Sequence, residues 1–425
     1  MTFWSPRANH SVEVSELYRN GLRLPYLPIN ATVFHWINLT LITLTFGIYA
    51  IALRTFKPGA SLRALWIISG VLLVVLVVTP PFYATDIFYY ADSGRLFGVY
   101  RQNPYLIPPS TFSQGDLTHF DYWSKTVTNY GPVWTLISGL LILIAGGTPF
   151  AATLVFKLLG AVSVAASALL IRTILRELRP DFADFGAFLF LWNPAVLLEG
   201  VANAHNDILM VPLLLVSILL LIKKRPVWGF IPLVLATLIK YLPAPLAGFY
   251  VLVRLHPQGT NLRKRLVTVL WLILVGIALT ILAWMPFWAG AQTLSSLYRR
   301  LTGQFMAGPI PSLVVFIGGF FHASDSTLGK AAIVIFLLLF YGAFAWGVIH
   351  IVKMWRKQAS YSFMDEITAM GTIMAIIPIL MPGSFPWFML PAMGLFAVAA
   401  PNSKRRAWFV YIFVAVWSFY RAVVW

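Results

Sequence analysis

The chain has 425 residues, of which 59% are hydrophobic and only 11% are charged, and its mean hydropathy is +0.80. Soluble globular proteins carry about 25% charged residues, so this composition excludes a soluble enzyme. It also excludes a disordered chain, which would need low hydrophobicity. The apolar runs are continuous, as in residues 67–78, whereas a membrane β-barrel alternates polar and apolar residues. We therefore predict an all-α polytopic membrane protein that lies in the lipid bilayer.

Ten apolar stretches approach the length of about 20 residues that a membrane-spanning helix needs. In chain order they are residues 32–53, 64–83, 150–172, 183–198, 208–222, 266–285, 331–352, 364–381, 385–400 and 407–424. Two further stretches are irregular. Residues 131–147 are short, and residues 226–253 are too long for one helix and contain Pro243 and Pro245.

The net charge of +17 indicates the topology of the chain rather than a nucleic-acid partner. Of the 31 basic residues, 19 lie in six short clusters between the apolar stretches. The positive-inside rule places all six clusters in the cytoplasm on two conditions. Residues 131–147 must not cross the bilayer, and residues 226–253 must cross it twice, as two short helices that meet near residues 240–243. We expect about 12 transmembrane helices (±2) in one domain over residues 1–425, and no nucleic-acid partner.

The first of two large extracytoplasmic loops, residues 84–130, begins with Asp86 directly after an apolar stretch. Asp92 and Arg95 lie three residues apart and can pair on a helix. The residues three and four positions after Asp86 are tyrosines, so Asp86 has no basic partner at helical spacing. It is therefore either solvated or functional. The same loop supplies three further candidate binding residues, Arg101, Tyr105 and Tyr130.

A second polar group falls between two apolar stretches, in a short connection that contains His205, Asn206 and Asp207. Asn206 or Asp207 could simply cap the next helix, but a cap explains one residue and not the whole string. Lys240 lies at the break in residues 226–253. A lysine at membrane depth is costly and is a functional candidate by default; the alternative is that its long side chain snorkels to the interface.

Three more candidates lie nearer the C-terminus. Arg299 and Arg300, in the second large loop (residues 286–330), oppose the positive-inside trend and could hold a phosphate or be solvated. Trp387 begins an apolar stretch and could equally belong to the aromatic belt at the membrane surface. The sequence contains no HExxH, P-loop or GxGxxG motif, so we expect no metal and no cofactor.

The predicted topology brings carboxylates, cations and aromatic rings to the extracytoplasmic face. No ATP is available there, so a sugar donor must arrive already activated, as a polyprenyl-phosphate sugar does. Phosphate leaves without a general acid, and one carboxylate can serve as the general base. Cations would stabilise the departing phosphate. Such a single displacement inverts the anomeric configuration.

At these positions the chain resembles the GT-C superfamily of integral membrane glycosyltransferases, and most of all the bacterial polyprenol-phosphate-mannose-dependent α-mannosyltransferases. The resemblance covers about residues 80–250. It rests on the following motifs in order: Asp86, Gly94-Arg95, Asn103-Pro104-Tyr105, Tyr130-Gly131-Pro132, Asn193-Pro194, His205-Asn206-Asp207 and Lys240.

The resemblance implies a GT-C-like helical bundle with juxtamembrane helices in the first large loop. It implies an aspartate of that loop as the general base, which corresponds to Asp86, with Asp92 as the second candidate. It also implies mannose as the sugar, a glycan, glycolipid or protein as the acceptor, and an extracytoplasmic active site in a bacterial plasma membrane.

Two alternatives remain open from the sequence. A GT-C enzyme could use another polyprenyl-phosphate sugar, such as glucose or arabinose. A secondary transporter or lipid-linked sugar flippase would share the many spans, the broken helices and an intramembrane lysine. A transporter would not need a loop of 47 residues rich in acids and aromatics.

Overall fold

The computed structural model describes most of the chain. The described residues are 31–55, 63–81, 84–112, 116–146, 148–255, 261–293, 362–381, 384–401 and 404–424, with isolated positions at Leu17 and between residues 327 and 342. All regular secondary structure in these residues is helical, so the prediction of an all-α protein is confirmed for them.

The helices of the first half are α1 (Ala31–Thr55), α2 (Arg63–Val78), α3 (Asp86–Gly98), α4 (Asp116–Phe120), α5 (Pro132–Ala145), α6 (Pro149–Leu178), α7 (Ala183–Leu191) and α8 (Pro194–Leu197). Helix α8 continues as a single π turn, Leu198–Ala202. The remaining helices are α9 (Asp207–Ile222), α10 (Pro226–Ile239), α11 (Ala244–Arg254), α12 (Leu262–Trp284), α13 (Phe363–Leu380), α14 (Leu390–Ala399) and α15 (Lys404–Val424). Short 3₁₀ turns lie at Pro109–Thr111, Pro180–Phe182, Met285–Phe287 and Pro386–Met389.

Nine of the ten predicted apolar stretches coincide with these helices, and residues 331–352 lie largely outside the described residues. Helix α6, helix α12 with the turn that follows it, and helix α13 are long and apolar enough to cross a membrane. A fourth span results if Pro180–Leu191 and Pro194–Ala202, which meet at a bend of 55°, cross together. These apolar helices are compatible with a membrane protein, whereas the number of about 12 stays a prediction.

The predicted break in residues 226–253 is confirmed. Helix α10 ends at Ile239, helix α11 begins at Ala244, and Lys240 between them has an extended backbone. Pro243 cannot donate a backbone hydrogen bond, so the α10 pattern cannot continue through it. Lys240 therefore lies at the end of a helix, and its side chain can reach the polar cluster described in the next subsection.

Helix α3, which begins with Asp86, is held tightly against helix α5. A Cβ atom added to Gly94 would lie 2.5 Å from the carbonyl oxygen of Ser138 on α5. The two backbones can approach this closely only because Gly94 has no side chain. This contact fixes the helix that presents Asp86.

The start of helix α5 is joined to the end of helix α10 at Gly131. The Gly131 amide donates to the Ile239 carbonyl oxygen at 2.8 Å, and a Cβ on Gly131 would lie 2.0 Å from the Leu238 carbonyl oxygen. The contact ties the first large loop to the residue next to Lys240.

We expect Gly131→Ala to destabilise the fold by about 3 kcal/mol, since a clash with backbone cannot be relieved by a rotamer change. Gly248→Ala is the matched control, because a Cβ at that exposed position of α11 would meet nothing within 4 Å. That control should be neutral or slightly stabilising. The measurement is the thermal unfolding midpoint of each variant in detergent. Equal midpoints for the two variants would show that the Gly131 contact does not hold the fold together.

The C-terminal helices pack onto the central helices α9 and α11. Arg254 of α11 donates to the buried Glu366 of α13. Helix α14 approaches α9 closely, because a Cβ on Gly394 would lie 2.3 Å from the side chain of Val211. This packing carries the aromatic turn Pro386–Met389 to the polar cluster described next.

Candidate active site

Asp86 is the first residue of helix α3, where the helix dipole stabilises a negative charge. The chain that leads to it is anchored by the buried Lys157 of α6, which donates to the Thr79 carbonyl oxygen after the end of α2. The side chain of Asp86 is 17% exposed. Asp86 is therefore a partly exposed carboxylate at a helix N-terminus.

The partner of Asp86 comes from a distant part of the chain. The His205 Nδ1 atom lies 3.5 Å from Asp86 Oδ2, and its Nε2 atom lies 3.3 Å from Glu199 Oε2. Both separations are ion-pair distances, and neither contact is aligned as a hydrogen bond. The Trp123 side chain also hydrogen bonds to Asp86. His205 is completely buried, so its ring links two carboxylates inside the protein.

The arrangement favours a charged imidazole. Burial lowers the pKa of His205, but Asp86 and Glu199 outweigh burial and raise that pKa to about 8. Burial alone would raise the pKa of Asp86, but His205 and then Lys240 lower it below its usual value. At neutral pH the site therefore holds an ionised Asp86 beside an imidazolium.

An aromatic stack covers one face of His205. The Trp387 ring lies on the imidazole with ring centroids 3.7 Å apart and an angle of 8° between the planes. Phe385 stacks in turn on Trp387, with centroids 4.6 Å apart. Trp387 is buried, so it belongs to the polar cluster rather than to a belt at the membrane surface.

Lys240 forms the second charged pair of the site. Its Nζ atom donates to both carboxylate oxygens of Asp207, at 3.0 and 2.8 Å. The ammonium group lies 3.6 Å from the centroid of the Phe388 ring and 5.7 Å from that of Tyr130. Because the Lys240 side chain is only 14% exposed, it does not snorkel. Asp207 is completely buried, so the pair is essential to the local structure.

The residues beside His205 are not explained by helix capping. Asn206 stands at the N-cap position of α9, but its side chain makes no capping hydrogen bond. It accepts instead from the Tyr90 hydroxyl, at 3.4 Å. The capping alternative considered from the sequence is therefore wrong for Asn206.

Two further carboxyl groups of the first large loop, those of Asp92 and Asp121, are buried. Asp92 is completely buried and accepts from Thr118 Oγ1 at 3.1 Å. Asp121 is also buried, and its Oδ1 atom accepts from the Trp123 amide at 2.7 Å. Of the two candidates for a general base, Asp86 is the one whose side chain is partly exposed.

Asp121 has an unusual protonation equilibrium. Burial, and then the charge of Asp92, raise the pKa of Asp121 to about 8. Between the pKa of an unfolded aspartate, near 4, and this value, the folded state binds one proton more than the unfolded state. The stability contribution of Asp121 therefore falls as the pH rises through this window.

We expect Asp121→Asn to remove this dependence. The variant should unfold at a higher temperature than the wild type at pH 9, and the difference should shrink towards pH 5. The measurement is the thermal midpoint of both proteins across this pH range. Parallel curves for the two proteins would contradict a neutral Asp121 in the folded state.

The other predicted binding residues lie away from the cluster or outside the described residues. Arg95 is half-buried nine residues along α3 from Asp86, about 14 Å away by helix geometry, and Arg101 is exposed beyond the end of that helix. Tyr105 is buried, and its hydroxyl donates to the Tyr130 carbonyl oxygen at 3.0 Å, so it holds the loop together. Arg299 and Arg300 lie outside the described residues.

Two site residues were not among the predicted ones. Glu199 lies in the π turn Leu198–Ala202, 3.3 Å from His205 Nε2, and π turns often occur at functional sites. Asp121 lies in a polar loop where an acid is expected to be solvated, so no local signal marks it. No group of three or more His, Asp or Glu side chains in the described part of the chain is arranged to hold a metal ion.

Comparison with known proteins identifies the family. A sequence model described as "Alpha-(1->6)-mannopyranosyltransferase, N-terminal domain" matches residues 5–256. This match is more than half of the chain and includes every motif from Asp86 to Lys240. The chain belongs to this α-(1→6)-mannopyranosyltransferase family. The resemblance to GT-C mannosyltransferases that the motifs predicted is confirmed.

Two named relatives show how far the similarity extends. "Alpha-(1->6)-mannopyranosyltransferase A" of Corynebacterium glutamicum is 26% identical over 195 residues, which are 44% of this chain and 38% of that protein. The protein of the same name from Mycobacterium tuberculosis is 24% identical over 238 residues, 54% of this chain and 44% of that protein. The matches thus span less than half of the length of either relative.

In this α-(1→6)-mannopyranosyltransferase family member, the residues that match the family model include the charged residues of the site: Asp86, Glu199, His205, Asp207 and Lys240. The aromatic stack of Phe385 and Trp387 lies beyond the matched residues. The site is therefore completed by a part of the chain that the family match does not cover.

Proposed function

We propose that the protein transfers a mannosyl group from a polyprenyl-phosphate donor to an acceptor hydroxyl, with inversion, and that Asp86 is the general base. The acceptor oxygen attacks the anomeric carbon while its proton passes to Asp86. The bond between the anomeric carbon and the phosphate oxygen breaks, and polyprenyl phosphate leaves. A β-linked donor then gives an α-linked product.

The observation that carries this proposal is the position of Asp86. It is a carboxylate whose side chain is 17% exposed, in a cluster whose other carboxylates, Glu199 and Asp207, are buried. His205 and Lys240 keep it ionised at neutral pH. A general base must be unprotonated before the reaction and within reach of the acceptor. Asp86 meets the first condition, and its partial exposure favours it over the buried Asp92.

The cations beside Asp86 suit a phosphate leaving group. His205 and Lys240 both contribute positive charge to the same cluster, and such charge stabilises the anion that develops on the departing phosphate. Arg299 and Arg300 stay candidates for the same role. Phosphate departure needs no general acid, which fits a site with one accessible carboxylate.

The names of the two relatives support mannose and an α-(1→6) linkage. The six clusters of basic residues support an extracytoplasmic site, because in the sequence they flank the opposite ends of the predicted apolar stretches. A lipid-linked donor fits that side of a bacterial plasma membrane, and its lipid tail would lie in the bilayer. The acceptor is a glycan, a glycolipid or a protein that presents a hydroxyl group.

The test is incubation of the purified protein with a panel of polyprenyl-phosphate sugars, with the consumption of each donor as the measurement. We expect polyprenyl-phosphate mannose to be consumed in preference to the glucose and arabinose donors. Preference for another sugar would reject mannose and retain the lipid-phosphate donor. Uptake of a donor into liposomes without any sugar transfer would indicate that the protein is a flippase and not a glycosyltransferase.

A further inference from the structure

Glu199 is a buried carboxylate for which the proposed mechanism has no use so far. Its side chain is 1% exposed, and its Oε2 atom lies 3.3 Å from His205 Nε2. The same oxygen accepts a hydrogen bond from Asn203 Nδ2 at 3.1 Å. Glu199 therefore cannot reach a substrate, but it contacts the residue that faces Asp86.

Backbone hydrogen bonds fix the positions of Glu199 and His205 relative to each other. Both residues belong to one short segment, in which the His205 amide donates to the Glu199 carbonyl oxygen at 2.9 Å and the Asn203 amide donates to the Leu198 carbonyl oxygen at 2.7 Å. The π turn adds one residue to the helical repeat and so turns the Glu199 side chain towards the imidazole. The pairing depends on this local geometry rather than on side-chain flexibility.

We propose that Glu199 is a positioning residue that holds His205 by Nε2, so that a charged imidazole presents Nδ1–H to Asp86. The proposal rests on the proposed role of Asp86 as the general base. A neutral imidazole has only one N–H group and would turn a lone pair towards one of the two carboxylates. Two carboxylates on opposite ring nitrogens therefore favour the imidazolium.

The charged groups around His205 come from three elements. Asp86 faces it from α3, Glu199 faces it from the π turn, and Asp207 at the start of α9 interacts with it electrostatically. Trp387 covers a ring face without contributing charge. The loss of Glu199 would remove one of the two carboxylates in direct contact, and the imidazole would more easily become neutral.

A neutral His205 would weaken the site in two ways. Asp86 would lose the cation that keeps it ionised, so a larger fraction would be protonated near neutral pH. The departing phosphate would lose one nearby positive charge. Glu199 would thus affect the rate while contacting neither the sugar nor the phosphate.

The experiment is an NMR titration of His205 in the isotope-labelled full-length protein in lipid nanodiscs. The resonance is assigned by its loss in His205→Asn, since the chain has seven histidines. We expect His205 to titrate near pH 8 in the wild type and about one pH unit lower or more in Glu199→Gln. The matched control is Glu177→Gln, which alters an exposed pair with Lys223 and should leave the titration unchanged. Glu199→Asp retains the charge and should titrate closer to the wild type than Glu199→Gln does.

A second readout is the pH profile of sugar transfer. In Glu199→Gln the alkaline limb should move to lower pH, because the His205 imidazolium loses its proton, and the departing phosphate its nearby positive charge, at a lower pH. An unchanged His205 titration in Glu199→Gln would overturn the proposal. If Glu199→Gln does not fold, Glu199→Asp decides the question instead. The proposal would be overturned if His205 did not titrate near the wild-type pH in Glu199→Asp. The titration needs no turnover, so it remains informative even if Asp86→Asn proves active and the proposed base is wrong.

Discussion

Replacement of Asp86 by Asn is expected to lower the rate of mannosyl transfer by about 10²- to 10⁴-fold, the usual contribution of a general base. Asparagine has nearly the same shape but cannot accept the proton of the acceptor hydroxyl. The carboxylate does not hold the donor in this account, so the affinity for polyprenyl-phosphate mannose should change little. The measurements are the initial transfer rate and the donor dissociation constant of the folded variant.

Two variants with the same chemical change separate this role from general effects. Asp181→Asn alters an exposed residue in the 3₁₀ turn after α6 and should transfer sugar at the wild-type rate. Asp92→Asn changes a buried carboxylate that accepts from Thr118 and should retain more than about a tenth of the rate. The assignment of the base would move to Asp92 if Asp92→Asn were inactive while Asp86→Asn kept wild-type turnover.

Replacement of Lys240 by Met is expected to have the largest effect on the fold. It leaves Asp207 as a completely buried carboxylate without its partner. Breaking a buried ion pair in this way costs about 3–5 kcal/mol. The variant should unfold at a markedly lower temperature and should also bind donor weakly, because it has lost a cation beside the site. The thermal midpoint and the donor affinity are the two measurements.

A double variant tells these two effects apart. Lys240→Met combined with Asp207→Asn removes both charges, and replacing a whole buried pair by neutral groups is often tolerated. We expect the double variant to regain most of the lost stability without regaining donor affinity. Recovery of both properties would mean that Lys240 serves the fold alone and does not contact the donor phosphate.

Local sequence rules predicted the parts of the fold that depend on short segments. Pro243 and Pro245, with the flanking basic clusters, predicted the break at Lys240, because two prolines so close together remove backbone donors from consecutive turns of a helix. Asp86 stood out because no basic residue lies at helical spacing from it. The number of membrane crossings depends on the bilayer, and the residues alone do not determine it.

The pairings within the site depend on the packing of distant helices, and the sequence carries no mark of them. His205 was a candidate, but nothing near it in sequence indicated Asp86 or Trp387 as neighbours. The substrate-binding role of Arg95 stays a prediction, and helix geometry separates this residue from Asp86. Once the segment is a straight helix from Asp86, its rise of about 1.5 Å per residue carries Arg95 away from the site.

The anomeric configuration of the product distinguishes a single displacement assisted by Asp86 from a double displacement. The purified protein is supplied with polyprenyl β-mannosyl phosphate and an acceptor, and the new glycosidic linkage is assigned by the one-bond carbon–hydrogen coupling of its anomeric centre. A single displacement assisted by one carboxylate predicts an α-linked mannose and no covalent glycosyl–protein intermediate. A β-linked product would contradict the account, because retention requires a nucleophile on the protein rather than a general base at Asp86.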